Sequence, residues 1–423
     1  MSAAMIRAEF PGLLILADDL SGAADCAADF AARTETRVML TTAGSLAADV
    51  VAIDVDSRRL PPQQAAEQHR VILRQQHATA KALYKKIDST LRGNVASEID
   101  ALQSVRGMAL VAPAFPDMKR TTSQGVQLID GVPVDQSDVW RNENLQGTSN
   151  LLELFLNQGL RTQWLGLDDL RDGEALKQTL RTALENGVQA LVCDAERDSD
   201  LQQLAEASAQ WHQELFWVGS AGLARHLPQA LGLPAARPIQ VTPRSPVLTV
   251  VGSMSRHSQL QADTLAQSSP QYSLTIAPAT LLDGKAQAER DALRQQLEEQ
   301  LLAGHDVLVR LDQQQRNPAQ AADLSNTLAR WLAPALPHAG SLIATGGETA
   351  RAILVEAGIE QMTLLGELAT GVALSQARLG SRNLNVVTKA GGFGDPDTFL
   401  AAWRQLHEPA LAGTTFKEEA PYV

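Results

Sequence analysis

Short runs that are apolar on both faces, each followed by a turn and a helical pattern, recur along the chain and leave few folds open to it. In the first part they read LLILADD, VVAIDVDS, ALYKKID, MALVAPAFP, TQWLGL, ALVCDA and LFWVGS. Runs without an alternating polar side suit central parallel strands covered by helices. The expected fold class is therefore α/β, each domain a mostly parallel sheet flanked by helices. The rhythm breaks at PAARPIQVTPRSP, a polar stretch with four prolines that cannot continue a helix. It resumes with PVLTVVGS, YSLTIAP, DVLVRLD, SLIATGG, MTLLGE and LNVVTKAGGFG. Two domains are expected, residues 1–233 and 247–423, joined by a linker at 234–246. Length agrees, because 423 residues exceed the roughly 250 to 300 at which single cores stop growing. LIDGVPV reads as a small antiparallel hairpin with Asp130-Gly131 at its turn.

Composition removes several function classes. A formal net charge of -12 argues against nucleic-acid and anionic-membrane partners, which such a chain repels. The two cysteines, Cys26 and Cys193, are far apart in apolar surroundings and read as small buried hydrophobes. The eight histidines form no pair at i, i+4 spacing, so no zinc site is expected, and His257 reads as a capping or surface residue. No GxSxG elbow is present. The first apolar run is too short for a signal sequence and no later one reaches spanning length, so a cytoplasmic location is expected.

In open parallel sheets ligands bind beyond the carboxyl ends of the strands, so the residues just after each apolar run carry the information. LLILA is followed by Asp18 and Asp19, then Ser21-Gly22 at the start of a helical pattern; either aspartate also reads as a helix cap. VVAIDV is followed by Arg58 and Arg59, and an arginine there is suited to grip a carboxylate with two nitrogens. KKIDSTLRGN supplies Lys86, Asp88, Ser89 and Arg92, with Ser89 or Thr90 a candidate cap for the next helix. PAFPDMKRTTSQG adds Lys119, Arg120 and two threonines. Mixed acids, bases and hydroxyls at four strand ends point to a pocket for a small anionic, hydroxylated ligand.

The second domain ends its strands in small residues: VVGSMS, ATGGETA, and TKAGGFGD with Lys389 beside the glycines. Such turns let backbone N–H groups approach phosphate oxygens, which suits a nucleotide. Neither a P-loop nor a dinucleotide fingerprint is present, and GSAGLA, a fragment of the latter, reads as tight helix packing.

Taken in order, LADDLSGAAD, KKIDSTLRGN, APAFPDMKRTTSQGVQLIDGVPV, GSAGLA, VVGSMSRHSQLQ, TGGETA and VVTKAGGFG resemble the four-carbon acid sugar kinase family, over nearly the whole chain. The resemblance implies an ATP-dependent kinase that phosphorylates the terminal hydroxyl of a sugar acid such as threonate, erythronate or an oxo-tetronate. It implies an acid-binding N-terminal domain, an ATP-binding C-terminal domain and an active site in the cleft between them. Asp18, Asp19, Arg58 and the KKIDST segment, Lys86, Asp88 and Ser89 included, would hold the acid. Ser255, Gly346, Gly347, Glu348, Gly391, Gly392 and Gly394 would hold ATP. Lys86, Arg58 and Arg92 are suited to neutralise the substrate carboxylate, while Asp18, Asp19 and Asp88 are alternatives for the group that takes the hydroxyl proton. Mg²⁺ would ride on the ATP phosphates with few protein ligands. Many members read Phe-Thr or Leu-Thr after the two aspartates where this chain has Leu20-Ser21, a departure that bears on substrate subclass.

A non-catalytic sugar-acid sensor and a nucleotide-dependent oxidoreductase compete with this reading. The first has no use for a second glycine-rich domain, and the second lacks its fingerprint. The expected partners are a sugar acid and ATP, without nucleic acid or membrane; a homo-oligomer stays open.

Overall fold

The computed structural model describes residues 10–41, 47–76, 82–143, 145–252, 255–312 and 321–408. The chain forms two compact units. One runs up to Ala235 and takes in Ile359–Leu364; the other comprises Ala236–Gly358 and the chain from Leu365 onward.

In the first unit the strands are β1 (Leu13–Ala17), β2 (Thr36–Met39), β3 (Val50–Asp54), β4 (Ala82–Lys86), β5 (Met108–Ala112), the short β6 (Arg120–Ser123), β7 (Val126–Ile129) and β8 (Val132–Pro133), then β9 (Thr162–Leu165), β10 (Ala190–Cys193) and β11 (Leu215–Gly219). The main sheet has the order β2-β3-β1-β4-β11-β5-β10-β9, all parallel. After β1 the chain winds outward through β2 and returns to β1's other flank at β4, so the winding direction reverses at β1. A crevice opens at such a switch point, at the carboxyl ends of the strands. The strands are buried on both faces because helices α1 (Leu20–Ala31), α2 (Pro62–Gln76) and α3 (Val95–Arg106) cover them. Leu14, Leu16, Ile53, Leu83, Ile99 and Phe216 form part of one continuous core. Each contributes about 1.5–3 kcal/mol by leaving water.

The second unit contains β12 (Val247–Val251), β13 (Tyr272–Ile276), β14 (Val307–Leu311), β15 (Ser341–Thr345), β16 (Gln361–Ala369), β17 (Val372–Leu379) and β18 (Arg382–Lys389). Its sheet runs β13-β14-β12-β15-β18-β17, parallel up to β18 and antiparallel between β17 and β18, and its winding reverses at β12. Val251, Leu308, Ile343, Leu374, Val387 and Phe399 lie in its core. Strand β16 begins in the first unit, where Gln361–Thr363 pair antiparallel with β2.

The α/β class with mostly parallel sheets is what the structure contains. The hairpin at LIDGVPV is present too: Ile129 pairs with Val132, and Asp130 and Gly131 both have positive φ, 49° and 77°. That geometry gives the turn the twist of its flanking strands. Cys26 and Cys193 are free and buried. Gly222 of GSAGLA packs against the Ala114 carbonyl, which a Cβ would approach to 2.5 Å, in keeping with tight helix packing. Several strands lack the two-faced apolar pattern, among them β2, only four residues long, β13, YSLTI, exposed at alternate positions, and β17, VALSQARL, which mixes polar and apolar positions.

Asp306 ties the second unit together. Its carboxylate accepts from the Val247 N–H at 2.7 Å and from Trp403 Nε1 at 2.7 Å, with His407 Nε2 3.0 Å away. Removing the carboxylate leaves the Val247 N–H buried without a partner. Asp306→Ala should therefore lower the stability of this unit by about 2–4 kcal/mol, and Asp306→Asn by less, read as the midpoint shift in urea unfolding followed by tryptophan emission.

Candidate active site

The first unit's site is built at the switch point. Asp18 and Asp19 follow β1, Arg58 follows β3, and Lys86, Asp88 and Ser89 close or follow β4. Arg58 lies across the group: Nε and Nη2 donate to the two oxygens of Asp18 at 2.6 and 2.9 Å, and Nη1 donates to Asp19 at 3.0 Å. Its Nη2 is also 3.7 Å from Asp88. Arg92 donates through Nε and Nη2 to Asp88 Oδ2, while the Thr90 N–H and hydroxyl both donate to Oδ1 at 2.7 Å. Arg58 thus grips the protein's own carboxylates in the structure, where the sequence had suggested a ligand's.

Electrostatics follows from the geometry. Burial would push Asp18 up, but Arg58, with Lys85 and Lys86 nearby, holds its carboxyl below the ordinary value. At Asp88 burial is again outweighed, here by Arg92, Arg58 and Lys86, and the carboxyl sits well below it. Both are ionised at neutral pH.

Asp19 serves as the N-cap of α1, accepting from the Gly22 N–H at 3.0 Å. The following helix is capped differently from the sequence expectation. It begins at Val95 with Asn94 at its N-cap, so neither Ser89 nor Thr90 takes that place. The cause is the turn between them: Leu91 has φ 57° and Gly93 φ 91°, which no helix accommodates. Gly93 is also a close approach, since a Cβ there would lie 2.9 Å from Asp18 Oδ2. Ser89 instead accepts a bond from Arg120 on its hydroxyl and one from Gln127 on its carbonyl. Lys119 points outward to Asp130, and Arg59 is exposed.

Lys86 stands apart. It is 7% exposed, yet it makes no hydrogen bond or ion pair among the described residues. Its ammonium rests against Gly22, where a Cβ would lie 2.8 Å from Nζ, so only glycine leaves it room. At the residue before Gly22, the Ser21 hydroxyl is buried and unpartnered. A buried hydroxyl without a partner is costly unless a ligand completes it, and the Lys86 ammonium, in the field of Asp18 and Asp88 but bonded to neither, is open to a further acceptor.

A supporting layer was not legible from the sequence. Lys85 points to the opposite face of β4 from Lys86 and pairs with Glu98 at 2.8 Å. Glu98 accepts from the Ser57 hydroxyl at 2.6 Å, and Asn94 donates to the Ser57 and Leu60 carbonyls. The Arg58 loop is thereby pinned to α3. Burial and Lys85 push the adjacent His69 down to about 4, so it is neutral at pH 7. Strand alternation alone would have separated Lys85 from Lys86.

The second unit's candidates gather at its own switch point. Ser255 is the N-cap residue of the helix Arg256–Ser268; Ser253 and Met254 of the same motif lie outside the described residues. Gly346 is the N-cap residue of the helix Gly347–Glu356, which receives no side-chain cap, and Glu348 lies in its first turn. The loop after β18 is held by its carbonyls. Ser258 donates to Gly391 at 3.0 Å, and the Gln261 amide reaches the carbonyls of Phe393, Gly394 and Asp395. Lys389 is turned into the same loop, donating to Ala390 at 2.9 Å and Phe393 at 2.7 Å. Burial pushes its ammonium down to about 8. In the structure Lys389 shapes the loop beside which it was expected to meet a ligand. With the carbonyls drawn inward, the N–H groups of Gly391, Gly392 and Gly394 make no hydrogen bond among the described residues. Such N–H groups, with an uncapped helix start, fit phosphate oxygens. No cluster of three His, Cys, Asp or Glu able to hold a metal occurs among the described residues.

Comparison with known proteins agrees with this division of chemistry. A sugar-binding N-terminal domain family matches residues 13–227 and a nucleotide-binding C-terminal domain family matches residues 248–399. The chain is 44% identical over 406 residues to a D-threonate kinase of Cupriavidus necator, covering 93% of this chain and 98% of that one. It is 28% identical over 420 residues to a 3-oxo-tetronate kinase of Methylobacterium radiotolerans, covering 91% and 96%. A solved Salmonella typhimurium structure described as a putative tRNA synthase shares the fold, with a TM-score of 0.77 at 23% identity over 93% of this chain and 99% of that one.

The depressed carboxyls make the first unit acid-sensitive. A group whose folded pKa lies below its unfolded value stabilises above the unfolded value and loses that contribution as pH falls. Asp88→Asn should cost about 3 kcal/mol at neutral pH and flatten the loss of stability between about pH 5 and pH 2, as urea midpoints taken across that range will show.

Proposed function

We propose, from the premise that the chain belongs to the four-carbon acid sugar kinase family, that it phosphorylates the terminal hydroxyl of a four-carbon sugar acid, D-threonate first among them, at the expense of ATP. The single observation that carries the acceptor half is Lys86, a buried ammonium without a partner at the carboxyl end of β4. A sugar-acid carboxylate supplies the missing charge, and the Ser21 hydroxyl offers a hydrogen bond to one of the acid's hydroxyls. Arg58 and Arg92 do not bind the acid directly; they hold Asp18 and Asp88 ionised, and Asp18, Asp19 and Asp88 in place, as acceptors for hydroxyl donors. Preference for D-threonate over other four-carbon acids is supported by the 44% identical relative.

The nucleotide half rests on the loop Ala390–Gly394 and on the helix starting at Gly347. ATP, accompanied by Mg²⁺, would supply the transferable phosphoryl group. Here the chain's contribution is to present N–H groups and exclude water, the two tasks that phosphoryl transfer asks of a protein more than covalent chemistry. Lys389 keeps the loop carbonyls turned away from those oxygens.

The direct test is ADP release by the purified protein with ATP and Mg²⁺ against D- and L-threonate, D- and L-erythronate and the 2- and 3-oxo-tetronates. D-threonate should be the best acceptor, and Lys86→Met should raise its KM at least about tenfold, the loss of one charge-assisted contact. ATP with Mg²⁺ alone should raise the melting temperature, the stabilisation reaching about 2.7 kcal/mol at a hundredfold excess over Kd. Stabilisation by ATP with no turnover of any acid would leave the nucleotide half standing and reject the acceptor.

A further inference from the structure

The helix Arg256–Ser268 carries two buried polar side chains, Ser258 and Gln261, one turn apart on the same face. Both reach the loop after β18. Gln261 Nε2 donates to the carbonyls of Phe393, Gly394 and Asp395 at 3.1, 3.0 and 2.8 Å, and the Ser258 hydroxyl donates to that of Gly391 at 3.0 Å. Gln261 Oε1, by contrast, is buried with no hydrogen-bond partner. A buried acceptor left unpaired is a cost that an apolar side chain of the same length would avoid. The nitrogen end of this amide therefore has a task.

That task follows from the peptide plane. In a trans peptide the carbonyl of one residue and the N–H of the next point to opposite sides. Wherever a side chain bonds a carbonyl of this loop, the N–H that follows faces away from it. Lys389 bonds the Ala390 carbonyl, Ser258 that of Gly391, and Gln261 those of Phe393 and Gly394. The N–H groups directed by these four bonds belong to Gly391, Gly392, Gly394 and Asp395, and none of them makes a hydrogen bond among the described residues. The Phe393 N–H, in contrast, is used within the loop, donating to Ala390 at 3.2 Å. Gly394 has φ 83°, a left-handed conformation that glycine adopts without strain. Neighbouring N–H groups turned the same way, with a left-handed residue among them, make a concavity for an anion.

We propose that Gln261 is a positioning residue for the phosphates of a nucleoside polyphosphate. It touches no phosphate itself. It holds the backbone of Phe393, Gly394 and Asp395 with the N–H groups already presented, so that little ordering of the loop remains to be done on binding. This inference rests on the nucleotide reading above.

The test is calorimetric titration of the full-length protein with ATP and MgCl₂ for wild type, Gln261→Met and Gln261→Glu, with steady-state kinetics on D-threonate beside it. The Met variant keeps the length and removes the donors; its Kd for ATP should rise at least about tenfold, with the KM for the acid little changed. The Glu variant keeps the shape and turns an acceptor toward three carbonyls. Its loss should be larger at about pH 8 and, relative to wild type, shrink toward about pH 6 as the carboxyl takes up a proton and becomes a donor. A merely structural lesion would not produce that recovery. A cooperative melting transition without ligand certifies the fold of each variant. Folded variants that bind ATP as tightly as wild type overturn the role, and so does an equal rise in KM for ATP and for the acid. If neither Gln261 variant folds, Ser258→Ala decides: a weakened ATP complex supports positioning from this helix face, and wild-type affinity overturns it. A wild-type protein that binds ATP but turns over no acid leaves the titrations to decide alone, whereas one that binds no ATP rejects the nucleotide reading and this inference with it.

Discussion

Arg58 is the charge on which the first unit's site depends. Asp18 and Asp88 are almost wholly buried, and taking each out of water costs several kcal/mol unless a cation compensates. One guanidinium does this for residues from two strand ends, forking Asp18, touching Asp19 and approaching Asp88. Its planar array of donors permits several simultaneous bonds where a lysine would offer a point charge. The rest is arranged to keep it there: Glu98 anchors Ser57, Asn94 holds the loop carbonyls, and Gly93 leaves space beside Asp18.

With Arg58 and Arg92 paired to internal carboxylates, Lys86 carries no direct ion pair among the described residues. The two adjacent lysines of β4 divide the work because a strand sends successive side chains to opposite faces. Lys85 is neutralised by Glu98 within the core and stiffens the scaffold, while Lys86 emerges beside Gly22 without a partner. The second unit holds its glycine loop in another way. Ser258, Gln261 and Lys389 bond the carbonyls of a glycine loop, and the N–H groups of Gly391, Gly392 and Gly394 make no hydrogen bond among the described residues. The partial charge of backbone N–H groups suits phosphate oxygens and avoids the desolvation that a further buried lysine would require.

Periodicity and strand-end composition made much of this readable in advance. The two-faced apolar runs gave most of the parallel strands, Asp130-Gly131 marked the hairpin, and the mixed charges after β1, β3 and β4 do come together around Arg58. Harder to read were features whose cause lies far off in the chain. Strand β2 is too short to carry a pattern, β17 alternates imperfectly, and the pairing of β16 with β2 joins residues over 320 positions apart. Ser89 and Thr90 look like caps by composition, but the positive φ of Leu91 and Gly93 delays the helix to Val95.

The sequence by itself determined the fold class and the division into a sugar-binding and a nucleotide-binding domain, because hydrophobic period and residue type are local properties. Tertiary structure alone decided what each charged residue does. Arg58 and Arg92 turn out to serve protein carboxylates, Lys389 its own loop, and Lys86 no protein partner among the described residues. The physical reason is that a charged side chain takes its role from the nearest opposite charge and from its access to water. Both are set by strands and helices brought together from distant parts of the chain, and neither is written at the residue itself.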